Sequence, residues 1–158
     1  MDPEILTTAI GIGLLFSLLF SELFGLAAGG LVVLGYIALF WREPIAIVFT
    51  LAIAFATHII VQLIGTGIIL FGKRRTVLVI LVAYLLRLTL DFAAGDYLAA
   101  HPAFRDTGVV VIGYIIPGLI AIWFDRQGIL ETLTTLIAAS VVVRVIIILI
   151  FGNAILAV

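Results

Sequence analysis

Long apolar runs separated by short polar breaks make up almost the whole chain. Six such runs follow one another, at Ile5–Phe24, Leu26–Trp41, Ile45–Phe71, Thr76–Ala94, Gly108–Phe124 and Ile129–Val158. A helix needs about 20 mostly apolar residues to cross a bilayer. The runs lack the period-two alternation of membrane β-strands. The pattern therefore predicts an all-α integral membrane protein with about six transmembrane helices, in a single membrane domain over residues 1–158.

The second and fifth runs are shorter than the others, at 16 and 17 residues. Both contain residues that interrupt helices, and we predict helix breaks at Gly35, Pro117 and Gly118. The two segments could be tilted, bent or re-entrant, and the sequence leaves these alternatives open. Glycines also allow helices to pack closely, which is an equally good reason for their presence.

The same two segments resemble each other. Residues 34–38 read LGYIA and residues 117–121 read PGLIA, and Glu22 and Asp91 occupy matching positions near the ends of the first and fourth runs. We therefore predict a three-plus-three internal repeat with halves 5–72 and 76–158. If all six segments cross the membrane, the repeat is inverted. If the second and fifth are re-entrant, it is parallel.

Composition supports a lipid environment. Apolar residues make up 65% of the chain and charged residues only 11%, whereas a typical soluble domain has about 25% charged residues. Too little polar surface remains to cover a soluble fold of this size. The net charge of -1 gives no basic surface for nucleic acid. Without cysteine, disulfides and thiolate metal sites are excluded.

Positive charges in the loops predict an orientation. Six spans place four loop cations on one side of the membrane and two, Arg42 and Arg105, on the other; the four are Lys73, Arg74, Arg75 and Arg126. Cytoplasmic loops are enriched in such residues. We therefore expect both termini on the extracytoplasmic side. A five-span topology would reverse this.

Several charged residues fall within the predicted spans or at their ends. Arg87 and Asp91 are four residues apart, on one helix face. Arg144 lies well inside the last run, and the candidate partners on other helices are Glu22 and Asp91; Glu131 is a further intramembrane acid. Buried charges in lipid pair with each other or line a cavity. These residues are therefore either structural ion pairs or, through Arg87 and Arg144, contacts for carboxylate groups.

His58 and Gln62 form a second polar pair with helical spacing in the third run. They could bond across helices, relay protons or contact a ligand. Neither they nor any other residues suggest a metal or catalytic site. Gly67 to Lys73 fits the first part of a P-loop, but Arg74 stands where the magnesium-binding Ser or Thr belongs, and the run ends a membrane span. We expect no nucleotide to bind there.

Nearly the whole chain resembles the membrane subunit of bacterial poly-γ-glutamate (capsule polymer) synthases, the PgsC or CapC family. The resemblance is carried by the order and spacing of short motifs: residues 18–22 (LLFSE), 30–36 (GLVVLGY), 72–75 (GKRR), 91–92 (DF), 116–121 (IPGLIA) and 125–128 (DRQG). Leu34 and Trp123 depart from the family pattern, which has proline at the first and often a polar residue at the second.

This resemblance implies a non-catalytic subunit in the bacterial cytoplasmic membrane. A separate cytosolic amide ligase would use ATP and a divalent metal, and an anchored extracellular-facing subunit would complete the complex. Ligase docking would fall to Lys73, Arg74, Arg75 and Arg126, although these cations could instead set topology or bind anionic lipid. The polymer would contact Arg87, Arg144, His58 and Gln62. A homo-oligomer would widen an otherwise narrow path for the polyanion.

Three functional hypotheses remain open on sequence alone. The first is a synthase subunit that activates the ligase and guides the polymer across the membrane. The second is a stand-alone transporter of small solutes or anions, suggested by the repeat and the buried charges. The third is a scaffold that only anchors the ligase and whose buried charges are structural.

Overall fold

A computed structural model describes residues 3–25, 32–67, 72–100 and 113–152. Six α-helices lie in these ranges: α1 (Pro3–Phe24), α2 (Val33–Leu39), α3 (Pro44–Gly67), α4 (Lys73–Ala100), α5 (Ile116–Gln127) and α6 (Ile129–Phe151). A 3₁₀ turn, Phe40–Arg42, follows α2. The all-helical prediction is confirmed for the described residues.

Local sequence explains where several helices begin and end. Pro44 opens α3, where its fixed φ suits the first turn and its missing N–H is not needed. Gly128 separates α5 from α6 with a φ of +98°, a conformation that residues with a Cβ rarely adopt. The Thr132 hydroxyl, one turn into α6, donates to the Gly128 carbonyl at 2.6 Å. A single glycine therefore connects the two helices.

Two described helices, Pro44–Gly67 and Ile129–Ile150, are long and apolar enough to cross a membrane. Large apolar side chains are also exposed on several helices, including Leu15, Leu63, Val77, Phe92 and Leu149. Exposed apolar surface of this kind is typical of contact with lipid or a partner. These features indicate membrane association. The six-span topology remains a prediction, because 26–31, 68–71, 101–112 and 153–158, which hold parts of four predicted runs, lie outside the described residues.

The chain forms two compact units: Met1–Arg42 with Arg126–Val158, and Glu43–Asp125. In the first unit α2 packs against α6, where Leu34 contacts Ala139 and Ala38 contacts Val143. In the second unit α3, α4 and α5 meet at Val61, Val79 and Ala121. Each unit is therefore built around one short helix, α2 or α5.

Two of the three residues predicted as helix breaks, Gly35 and Gly118, lie inside helices at close contacts, which is the alternative that the sequence left open. Gly35 lies inside α2, and a Cβ on Gly13 of α1 would come within 2.7 Å of the Gly35 nitrogen. Pro117 and Gly118 lie in the first turn of α5, where proline is tolerated. A Cβ on Gly118 would meet the Ile80 Cα of α4 at 3.1 Å. Sequence alone left both alternatives open, because glycine occurs at helix breaks and at close contacts.

Replacing Gly13 tests this packing. We expect Gly13→Ala to lower the thermal unfolding temperature of the detergent-purified protein, because the new methyl group meets backbone that cannot move aside; overpacking costs about 1–3 kcal/mol. Gly11→Ala is the matched control, since a Cβ on Gly11 meets nothing within 4 Å. Equal unfolding temperatures for the two variants would contradict the close contact between α1 and α2.

Candidate functional site

Four polar side chains from three helices form a connected network in the second unit. His58 and Gln62 lie on α3, Arg75 on α4 and Asp125 on α5. Arg75 Nε donates to Asp125 Oδ2 at 2.8 Å, and His58 Nδ1 lies 3.1 Å from Asp125 Oδ1. Gln62 Nε2 lies 3.0 Å from His58 Nε2. Asp125 is thus the centre of this polar network.

The Arg75–Asp125 pair resolves an electrostatic conflict in both helices. Asp125 lies in the last turn of α5, near the negative end of that helix dipole, and Arg75 lies in the first turn of α4, near a positive end. Each charge alone is unfavourable in its place. The ion pair offsets both unfavourable interactions with the helix dipoles. Solvent screens the pair only in part, because the Asp125 side chain is 14% exposed and that of Arg75 is 39% exposed.

His58 is held mainly by packing and by Gln62. Its ring is buried and meets Phe124 edge-on, with centroids 6.0 Å apart and planes at 88°. Nδ1 is close to Asp125 but makes no hydrogen bond to it or to any other described residue. The contact is an ion pair only when the ring is protonated.

A second cluster lies further along α4. Arg87 NH2 is 3.1 Å from Asp91 Oδ1, so the helical spacing of these residues does bring them together. The Tyr114 hydroxyl donates to Asp91 Oδ2 at 3.1 Å, and the Arg87 guanidinium lies 5.5 Å from the Tyr114 ring centroid. Arg87 is buried and Asp91 half-buried. The cluster joins α4 to the segment just before α5.

Arg144 of α6 contacts the short helix of the first unit. Its NH1 donates to the carbonyl of Ala38 at 2.8 Å and to that of Leu39 at 3.3 Å. These carbonyls end α2, where intrahelical partners run out and a cation is favourable. Arg144 therefore caps α2.

The remaining predicted residues lie at the surface. Glu22, Lys73, Arg74, Arg126 and Glu131 are exposed. Glu131 lies in the first turn of α6, a favourable place for an acid, with its carboxylate over Gly128. The proposed docking cations thus differ: Arg75 is bonded and partly buried, whereas the other three are accessible to a partner.

Sequence reasoning named neither Asp125 nor Tyr114 as a site residue. A signal for Asp125 was present, since an acid in the last turn of a helix conflicts with the dipole and implies a cation nearby. Tyr114 gave no comparable signal, because its contacts with α4 are purely tertiary.

No group of three or more His, Cys, Asp or Glu side chains is placed to hold a metal ion within the described ranges. Residues 68–71, which form the middle of the P-loop-like run, lie outside those ranges. Lys73 begins α4 and is exposed.

Together these features define a helical protein with membrane-length helices and polar contacts that hold its short helices. Comparison with known proteins gives the family: the capsule biosynthesis CapC family matches residues 12–133, and the chain belongs to it. The "PGA biosynthesis protein CapC" of Bacillus subtilis (strain 168) is 32% identical over 125 residues, covering 78% of this chain and 80% of the relative.

A second relative, the "Capsule biosynthesis protein CapC" of Bacillus anthracis, is 34% identical over 133 residues, covering 84% of this chain and 86% of the relative. No solved structure matches the chain. The family resemblance inferred from the sequence motifs is confirmed.

A double-mutant cycle tests the centre of the polar network. Asp125→Asn and Arg75→Gln should each lower the free energy of unfolding in detergent, and the double variant should lose less than their sum. We expect a coupling of about 1 kcal/mol, since the pair is partly exposed. Glu22→Gln, at an exposed acid, is the control and should change little. Additive single effects would contradict the ion pair.

Proposed function

We propose that this chain is the membrane subunit of a bacterial capsule-polymer synthase complex, which makes poly-γ-glutamate. The family match over residues 12–133 carries this proposal. The printed name of the B. subtilis relative refers to PGA biosynthesis and that of the B. anthracis relative to capsule biosynthesis. The match covers most of both chains. It does not favour the alternative of a stand-alone transporter.

In this proposal the chemistry belongs to a partner. A cytosolic amide ligase, with ATP and a divalent metal, joins the glutamate units, and an anchored extracellular-facing subunit completes the complex in the cytoplasmic membrane. This chain holds the ligase at the bilayer and activates it. The exposed cations Lys73 and Arg74, at the start of α4, are the docking site for it within the second unit, and Arg126, at the end of α5, is a further exposed cation that the ligase could contact.

We infer further that the chain is an internal duplication whose halves exchange their third helix. A shift of 86 positions places the buried residues of α3 on buried residues of α6: Ala46, Thr50, Ile53, Ala54, Thr57 and Val61 on Thr132, Leu136, Ala139, Ser140, Val143 and Ile147. A shift of 83 does the same for α2 and α5: Val33, Leu34, Gly35, Ile37 and Ala38 on Ile116, Pro117, Gly118, Ile120 and Ala121.

The polar contacts follow the same relation. The shift between α3 and α6 places His58 on Arg144. Arg144 bonds the end of α2 and His58 contacts Asp125 at the end of α5. Each third helix thus supports the short helix of the other half. Agreement between burial and contacts supports a duplication better than the apolar similarity of the sequences does.

Synthesis of polymer by membranes with and without this chain tests the function. Membranes that hold the ligase should make long γ-linked polymer from ATP and glutamate only when this chain is present, because the ligase needs its membrane partner. Polymer length and yield are measured by gel and by labelled glutamate. Equal synthesis without the chain would contradict the proposal, and glutamate flux in liposomes would then test transport.

Cysteine labelling tests the inverted repeat, and the absence of native cysteine makes it direct. With six spans, Glu43 and Gln127 follow equivalent short helices and lie on opposite faces of the membrane. A membrane-impermeant thiol reagent should label Glu43→Cys in intact cells and Gln127→Cys in inverted vesicles only. Labelling of both from the same side would indicate a parallel repeat and a different span number.

A further inference from the structure

A cavity of about 410 Å³ lies in the second unit between the C-terminal end of α3 and the start of α4. Its lining residues are Ile59, Gln62, Leu63, Gly65, Thr66 and Arg75. Sites for small ligands typically have volumes of about 300–1,000 Å³ and combine apolar walls with a few polar groups. This cavity, which is open to the surface, meets both conditions, and two of its lining residues, Gln62 and Arg75, also belong to the polar network described above.

Arg75 supplies a positioned cation. Its bond to Asp125 uses Nε, which orients the guanidinium and leaves its two terminal nitrogens without an acceptor among the described residues. Two nitrogens of a guanidinium bind the two oxygens of a carboxylate in parallel. None of the six described lining residues is acidic, so the charge of the lining favours an anion.

Gln62 and Thr66 add neutral polar groups one helical turn apart. Because Gln62 Nε2 bonds His58, the amide retains its carbonyl oxygen for a ligand. Thr66 Oγ1 donates to the Leu63 carbonyl at 2.6 Å and can still accept a hydrogen bond. These two acceptors suit an amide or ammonium N–H close to the carboxylate. Ile59 and Leu63 provide apolar wall for a short methylene chain.

We propose that this cavity binds one acidic amino-acid unit, either free or within an amide-linked chain, with its carboxylate on Arg75 and its N–H on Gln62 or Thr66. An inorganic anion would satisfy Arg75 but would leave the acceptors and the apolar wall unused. The assignment rests on the proposed function and gives it a substrate contact. Arg75 thereby acts in polymer contact rather than only in ligase docking.

Binding to the purified full-length chain in nanodiscs of zwitterionic lipid tests the site. The probes are labelled glutamate and a synthetic γ-linked glutamyl pentamer. Arg75→Gln should weaken pentamer binding about tenfold or more, because a charge-assisted hydrogen bond is lost. Arg75→Lys should recover part of the loss, since it restores charge without the paired geometry. Unchanged affinity in Arg75→Gln would overturn the proposal.

Two glycine substitutions test binding in the cavity without changing the Arg75–Asp125 ion pair. Gly65→Phe should abolish pentamer binding while leaving the unfolding temperature near that of the wild type, because Gly65 lines the cavity and a Cβ there meets nothing within 4 Å. Gly67→Phe is the matched control: it also has open space but does not line the cavity. Equal loss of binding in both variants would contradict the site.

A competition experiment tests whether the cavity binds other anions, and a comparison of binding with synthesis separates this inference from the proposed function. Inorganic phosphate, or phosphatidylglycerol added to the nanodiscs, should displace the pentamer only weakly; strong displacement without saturable glutamyl binding would assign the cavity to phosphate groups and overturn the proposal. If synthesis requires the chain but Gly65→Phe binds the pentamer normally, this inference alone fails. If the pentamer binds at Arg75 but synthesis does not require the chain, the proposed function fails instead.

Discussion

A carboxylate at the wrong end of a helix dipole is the constraint on which the second unit depends. Asp125 closes α5, where the backbone already carries partial negative charge, so it needs a cation beside it. Arg75 meets that need from the first turn of α4, where it is itself unfavourable. The pair therefore holds the end of α5 against the start of α4. His58 brings α3 into the same network through its contact with Asp125. Glycine-sized contacts, such as Gly118 against Ile80, complete the packing.

In the first unit, too, a cation supports the end of a short helix. The last carbonyls of α2 lack helical partners, and the guanidinium of Arg144 bonds two of them. A seven-residue helix has few internal hydrogen bonds and depends on tertiary contacts for stability. Short helices held in this way leave polar groups in a mostly apolar protein. In the second unit two of these groups, Gln62 and Arg75, line a cavity, and the proposed binding site therefore depends on the same contacts that hold the helix.

The sequence predicted the long helices well, because an extended apolar run is enough to indicate them. The predicted third run, Ile45–Phe71, corresponds to α3, and the sixth begins with α6 at Ile129. The spacing of Arg87 with Asp91 and of His58 with Gln62 was enough to place each pair in contact. Long-range partners were not predictable. Nothing local indicates that Arg75 meets Asp125, 50 residues away, or that Arg144 bonds the carbonyls at the end of α2. The family was recognisable because its motifs recur in order, although none is catalytic.

The function proposed for this chain is that of a subunit inside a polymer synthase. The family match to capsule biosynthesis proteins supports this role. The most direct measurement is affinity purification through a tag on this chain from detergent-solubilised membranes, followed by assay of ATP-dependent glutamate ligation in the eluate. We expect ligase activity and γ-linked polymer to elute together with the chain. A pure chain without ligation activity, from cells that still make polymer, would contradict it.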